Sequence, residues 1–272
     1  MGQRTTSITK QHLIDAPLPQ HASSYTVIPH EFVINKALSE LAAKGFQVKE
    51  ELYRCNKGAQ IAQGKYFLNY GNDPEMGMMF AWSNSYDKSM RFKCAIGCYV
   101  LVSMNGIISG DMGSWGRKHT GSADTETEST IKAQIDGADI YYSQLVYDKL
   151  QMQDIMLNMR KKCEILGRLF MEHGLLNVEQ MSVVKQEMFK PSFDYKGEKD
   201  SLWIFYNHIT HALKSAHPKE WMDHQRMVHW FITNEFNIEK PILGMNENKP
   251  GHQITLEEGI QAAESDAGNS NT

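Results

Sequence analysis

Long hydrophobic runs are missing from this chain. No stretch approaches the roughly 20 apolar residues that a membrane-spanning helix needs, and the first 20 residues lack the apolar core of a signal peptide. The expected setting is therefore aqueous and cytoplasmic, with no membrane partner. Cysteine is scarce, four in 272 residues, which excludes a disulfide scaffold and points to reduced thiols. Cys94 and Cys98 are spaced C-x₃-C, but no second close Cys or His pair follows, so they read as small buried hydrophobes. A basic excess is also lacking. The net charge is −4, and Glu257, Glu258, Glu264 and Asp266, in a terminal stretch without Lys or Arg, account for all of it. Any nucleic-acid surface must be a local patch.

Several catalytic signatures are absent too. There is no Walker A loop, no strand-linked G-x-G-x-x-G, no H-E-x-x-H and no G-x-S-x-G elbow. The histidines His208, His211, His217, His224 and His229 have Glu220 and Asp223 near them, yet the E-x-x-H repeat of bundle metal sites is missing. No metal, no cofactor and no catalytic residue is assigned. Asp87, Asp111 and His119 are the only loose acid–base grouping, and enzymatic activity has no motif behind it.

What is present is a change of period. Residues 1–25 are polar, carry Pro17 and Pro19, and read as a flexible N-terminal arm. Ile34, Leu38 and Leu41 fall at helical spacing before Gly45. From residue 46 the period becomes two, with turn signals at Asn56-Lys57-Gly58, at Gly71 to Pro74 and at Tyr86 to Ser89. Gly97 reads as a bulge, a further strand covers 98–104, and Asn105-Gly106 reads as a turn. The expectation is an antiparallel β-meander of about five strands with one face buried. Residues 131–170 carry apolar side chains at 4-3 spacing interrupted at Lys149, read as a kink or break. That run fits helices over the sheet or a helix that also makes an oligomer contact. Asn177 and Gln180 form a capping box before a helix at 181–189, and Pro218 opens another. The fold class is α+β, with a single domain over 26–240, its sheet at 46–121 and helices at 122–240, and an acidic disordered tail at 241–272.

Two groupings suggest binding. Gly110, Gly113 and Gly116 precede Arg117, Lys118 and His119, and a glycine-rich backbone beside cations suits an anion. Arg91 and Lys93 share one strand face with Tyr99, and Tyr53, Arg54, Lys57 and Tyr66 extend it from the neighbouring hairpin. Cations that track phosphates beside rings that stack on bases are the equipment of single-strand binders. A solvated strand face and an irregular loop are the plain alternatives.

Asn84-Ser85, Asp87, Ser103-Met104-Asn105-Gly106 and His119-Thr120-Gly121 follow in order, with a looser W-x-x-Y-N-x-x-T at Trp203, Tyr206, Asn207 and Thr210. In these landmarks the chain resembles a family of phage, prophage and conjugative-plasmid proteins filed as a domain of unknown function. The resemblance implies a mobile-element origin and a host bacterial cytoplasm, and it implies no settled activity. The expected function is single-stranded DNA binding in replication or recombination, in a homo-oligomer. Its nucleic-acid contacts would be Tyr53, Arg54, Lys57, Arg91, Lys93, Arg117, Lys118 and His119. The alternatives are a protein-binding inhibitor of host defence and a phosphate-handling enzyme built on the glycine-rich loop. The acidic tail is a candidate dock for a replication or host-defence protein.

Overall fold

The computed structural model describes residues 6–19, 26–71, 73–109, 115–117 and 123–238. The acidic tail, Lys118 and His119 lie outside them. Seven strands of the described residues form one antiparallel sheet: β1 (Thr6–Ile8), β2 (Val48–Cys55), β3 (Ile61–Leu68), β4 (Met76–Ser85), β5 (Phe92–Val100), β6 (Asn105–Ile107) and β7 (Trp115–Arg117). Strands β1 to β6 follow one another in order, and β7 pairs with the other end of the β5 edge. Helices α1 (Lys10–Ile14) and α2 (His30–Ala43) precede β2, and α3 (Ala123–Asp136), α4 (Ala138–Asp154), α5 (Met159–Gly167), α6 (Val178–Phe189), α7 (Leu202–Ala212) and α8 (Trp221–Glu235) follow β7. The architecture is α+β, a meander packed by a mostly helical C-terminal half. No helix of the described residues is long and apolar enough to cross a membrane.

Local chemistry accounts for several boundaries. Asn177 caps α6 by accepting from the Gln180 amide at 2.8 Å, and Gln180 returns a side-chain acceptor to the Asn177 amide at 3.0 Å. This is the reciprocal box expected from sequence. Ser201 caps α7 by accepting from the Ile204 amide and Asn158 caps α5 by accepting from the Lys161 amide, each without a return contact.

The sheet is covered on both faces, not one. Every residue of β3 and β4 is buried. On one face Tyr66, Phe80, Trp82, Cys94, Ile96 and Cys98 pack with α2, α3, α4 and α7 in the main core. On the other, Phe67, Met79, Ala81, Ala95 and Tyr99 meet Ala216, Trp221 and Met222 at the start of α8. The stretch read as an arm also contributes: β1 pairs with β2, and Leu13 of α1 is buried.

Glycine explains two further departures. Strand β5 runs through Gly97 without a bulge, and the register shift falls between Val48 and Glu50 of β2. A β-carbon at Gly97 would lie 2.3 Å from the Ile107 carbonyl oxygen, so this glycine lets β6 approach. Asn105-Gly106 is not the turn; residues 101–104 turn and the pair forms β6. A β-carbon at Gly106 would meet the Trp221 ring at 2.6 Å.

The 4-3 run divides into α3, α4 and α5, with breaks at Gly137 and after Asp154. Met152 is buried, whereas Met156 beyond the helix end is 53% exposed. Lys149 is no break. It lies inside α4, buried, with its ammonium 2.6 Å from Asp73 and 3.2 Å from Glu75. Gln153 donates to the same Glu75 carboxylate at 3.2 Å, so α4 is bolted to the loop before β4. Replacing Lys149 by Ala strands two buried carboxylates and is expected to cost about 3–5 kcal/mol. Urea unfolding of the variant checks this, and a loss below about 1 kcal/mol would mark the pair as solvated.

Candidate functional site

The strand register places most of the predicted contacts at one end of the sheet. Arg54 faces Gln63, Gln63 faces Ser83, and Ser83 faces Lys93. These four side chains form a row across one sheet face, just inside the β2–β3 and β4–β5 turns. The two turns touch, since the Tyr86 amide donates to the Gln60 carbonyl at 2.7 Å. Lys57 is exposed in the first turn, Lys88 in the second, and Arg91 just before β5. Arg117 joins this end through the backbone pairing of Phe92 with Arg117.

Not every member of the set serves a surface. Tyr53 points to the opposite face, is 4% exposed, and its hydroxyl donates to Glu51 and lies 3.4 Å from that of Tyr66. Burial pushes its phenol well above the ordinary range, and its ring offers no stacking platform. Tyr99 is likewise buried, with its ring edge-on to Phe67.

The Arg54–Lys93 row is covered by residues 214–223. Arg54 donates to the Lys214 carbonyl at 3.0 Å and the Ala216 carbonyl at 3.2 Å. Ser83 donates to the Pro218 carbonyl at 3.1 Å, and Lys93 forms an ion pair with Asp223. Thus Arg54 and Lys93 clamp the segment that caps this face. Among the described side chains, the exposed cations of this end include Lys57, Lys88 and Arg91, with Asp87 and Glu220 as nearby acids. Asp87 accepts from the Ser89 amide at 2.9 Å, which is turn chemistry.

Of the resemblance's landmarks, His119-Thr120-Gly121 lie outside the described residues, and Asn84, Ser85 and Asn105 have architectural roles. Asn84 donates to the Ile28 carbonyl at 2.8 Å and to Nδ1 of His30 at 3.0 Å. His30 Nε2–H donates to the Ala59 carbonyl at 2.9 Å, which leaves Nδ1 as the acceptor. This fastens the start of α2 to the end of β4. Ser85 closes the following turn on the Met90 carbonyl, and Asn105 donates to the Asn207 carbonyl at 3.1 Å.

A buried chain not evident from sequence links three helices. Gln144 donates to Asp148 at 2.7 Å, His229 Nε2 lies 3.0 Å from the other Asp148 oxygen, and the Tyr206 hydroxyl lies 3.1 Å from His229 Nδ1. The His229 ring thus bridges the Asp148 carboxylate and the Tyr206 hydroxyl. Its only sequence signal is polar residues at apolar helix positions. Among the described residues no group of three His, Cys, Asp or Glu side chains could hold a metal. Cys94 and Cys98 lie in the core, where burial raises both thiols.

His208 is buried beside His211, and desolvation drops its pKa to about 4. His211 is lowered for the same reason. Because the folded values lie below that of a free imidazole, the unfolded chain takes up more protons between about pH 6.5 and pH 4. Stability is therefore present near neutrality and lost as pH falls through that window, by about 3 kcal/mol for His208 when complete. Urea midpoints at pH 7 and pH 5 measure the slope, and His208→Asn should flatten it.

No protein family, curated protein or solved structure matches the chain in comparison.

Proposed function

We propose that this protein binds nucleic acid, in the form of single-stranded DNA, at the sheet end formed by the β2–β3 and β4–β5 turns and β7. One observation carries the reading: the register gathers Lys57, Arg91 and the Arg117 backbone, which are dispersed in sequence, around a single edge. Lys88 adds a fourth basic residue there. Arg54 and Lys93 belong to this site as supports, since they fix the cover on which the exposed groups stand. With Tyr53 and Tyr99 buried, the contact rests on phosphates more than on base stacking. The resemblance to phage and plasmid proteins supports a role in replication or recombination of a mobile element.

Affinity for a labelled oligonucleotide, followed by fluorescence anisotropy, should fall linearly with the logarithm of salt concentration. Lys57→Ala with Arg91→Ala should reduce the slope by about 1.4, or about 0.7 per lost phosphate contact on a single strand. The variant's unfolding free energy from urea titration should stay within about 0.5 kcal/mol of the parent's, because both side chains are exposed. No binding at low salt, or an unchanged slope, would sink the reading.

A further inference from the structure

Beside the exposed end lies a second arrangement of charge, sunk under the start of α8. Lys65 is on β3, two residues beyond Gln63 and on the same face, and it is 6% exposed. Its ammonium stands 3.6 Å from the centroid of the Trp221 ring. Lys65 feels two neighbouring charges, Arg54 and Lys214, and both are cations. The guanidinium of Arg54 is held in place by the Lys214 and Ala216 carbonyls, and the Lys214 ammonium donates to the Ser103 carbonyl. Gln63 is fully buried with neither amide atom hydrogen-bonded in the structure, and the buried Trp221 indole N–H is likewise unpartnered.

Lys65 is buried and the cations beside it, Arg54 and Lys214, are part-buried; like charges repel where water is scarce, and an unbonded buried amide adds its own desolvation cost. The contact with Trp221 offsets part of this, since a ring face attracts a cation. Desolvation and the two cations drive the Lys65 pKa well below its usual range, and desolvation lowers those of Arg54 and Lys214. An arrangement of this kind is relieved by one anion. A carboxylate offers one charge. A phosphate monoester offers nearly two and at least three acceptor oxygens, enough for an ammonium, a guanidinium fork and the Gln63 amide.

We propose that Lys65, Arg54, Lys214 and Gln63 form a binding site for a phosphate monoester group, closed on one side by Trp221. The site shares Arg54 with the supports of the exposed sheet end, but its anion contact does not depend on strand binding at Lys57 and Arg91. The same chemistry is found in free phosphate and in the 5′ phosphate of a strand.

The test is a phosphate titration of the full-length protein, with chloride at matched ionic strength as reference. Saturable binding by calorimetry and a melting-temperature rise of about 2–4 °C are expected. Lys65→Met keeps the stem against Trp221 and removes the charge. It should melt at or above the parent temperature without phosphate and lose the phosphate response. An equal response in parent and variant, or no saturable binding to the parent, overturns the proposal. Should Lys65→Met fail to fold, Gln63→Met is the second variant, and it should weaken phosphate binding at least tenfold; unchanged binding overturns the site. Competition by a 5′-phosphorylated oligonucleotide, but not its 5′-hydroxyl counterpart, identifies a strand terminus as the source. If neither competes while phosphate binds, the source is free phosphate. A failure of strand binding at Lys57 and Arg91 leaves the phosphate result unaffected, so the two proposals fall separately.

Discussion

Strands β3 and β4 have no solvent face, and the rest of the molecule answers that constraint. A strand buried on both sides needs two covers, whereas a meander by itself supplies none. The main core provides one through α2, α3, α4 and α7, and the segment entering α8 provides the other. Burial on both faces also traps polar side chains. Some are compensated, as when the Trp82 indole donates to the Tyr66 hydroxyl at 3.0 Å. Gln63 and Lys65 are not compensated in the same way, which is why the second cover is electrostatically the more interesting of the two.

The covers are registered by polar fasteners as well as by apolar packing. Lys149 holds α4 to the loop before β4, the Asp148–His229–Tyr206 chain holds α4, α7 and α8 together, and Asn84 holds α2 to the sheet. Apolar contact tolerates sliding, whereas a buried carboxylate accepts few positions for its partner. Such groups contribute less to net stability than to selecting one arrangement of helices over a twisted sheet. The short landmarks Asn84-Ser85 and Asn105-Gly106 belong to this fastening and to the close approach of Trp221.

The meander and the helical half were legible because their signals are local: alternation in 46–104, turn residues at 56–58 and 86–89, and the Asn177–Gln180 box. The second cover was not. Gln63, Lys65, Lys93 and Arg54 have the polarity of a solvated strand face, and what buries them, residues 214–223, follows far along the chain. For the same reason Tyr53 looked like a stacking ring when it is a core residue. Lys149 misled in the opposite direction. A cation in an apolar row suggested a break, and only its carboxylate partners on a distant loop explain its burial. Composition shows no basic excess, and the sequence pattern sets Arg91 and Lys93 on a strand face extended by the neighbouring hairpin. That Lys57, Arg91 and the Arg117 backbone meet at one sheet end follows only from the pairing register.

The short outer strands have a consequence for behaviour at high concentration. Among the described residues, one sheet edge is the three-residue β1, and the opposite edge is divided between β6 and β7, also of three residues each. Edges this brief present too few aligned amide and carbonyl groups to template strand addition by a neighbouring molecule. If β1 detached, it would uncover β2, whose Lys49, Glu50 and Glu51 are exposed charges that oppose stacking of one sheet against another. The fold is thereby guarded against fibrillar self-association twice over, first by edge length and then by the charges on the strand behind it.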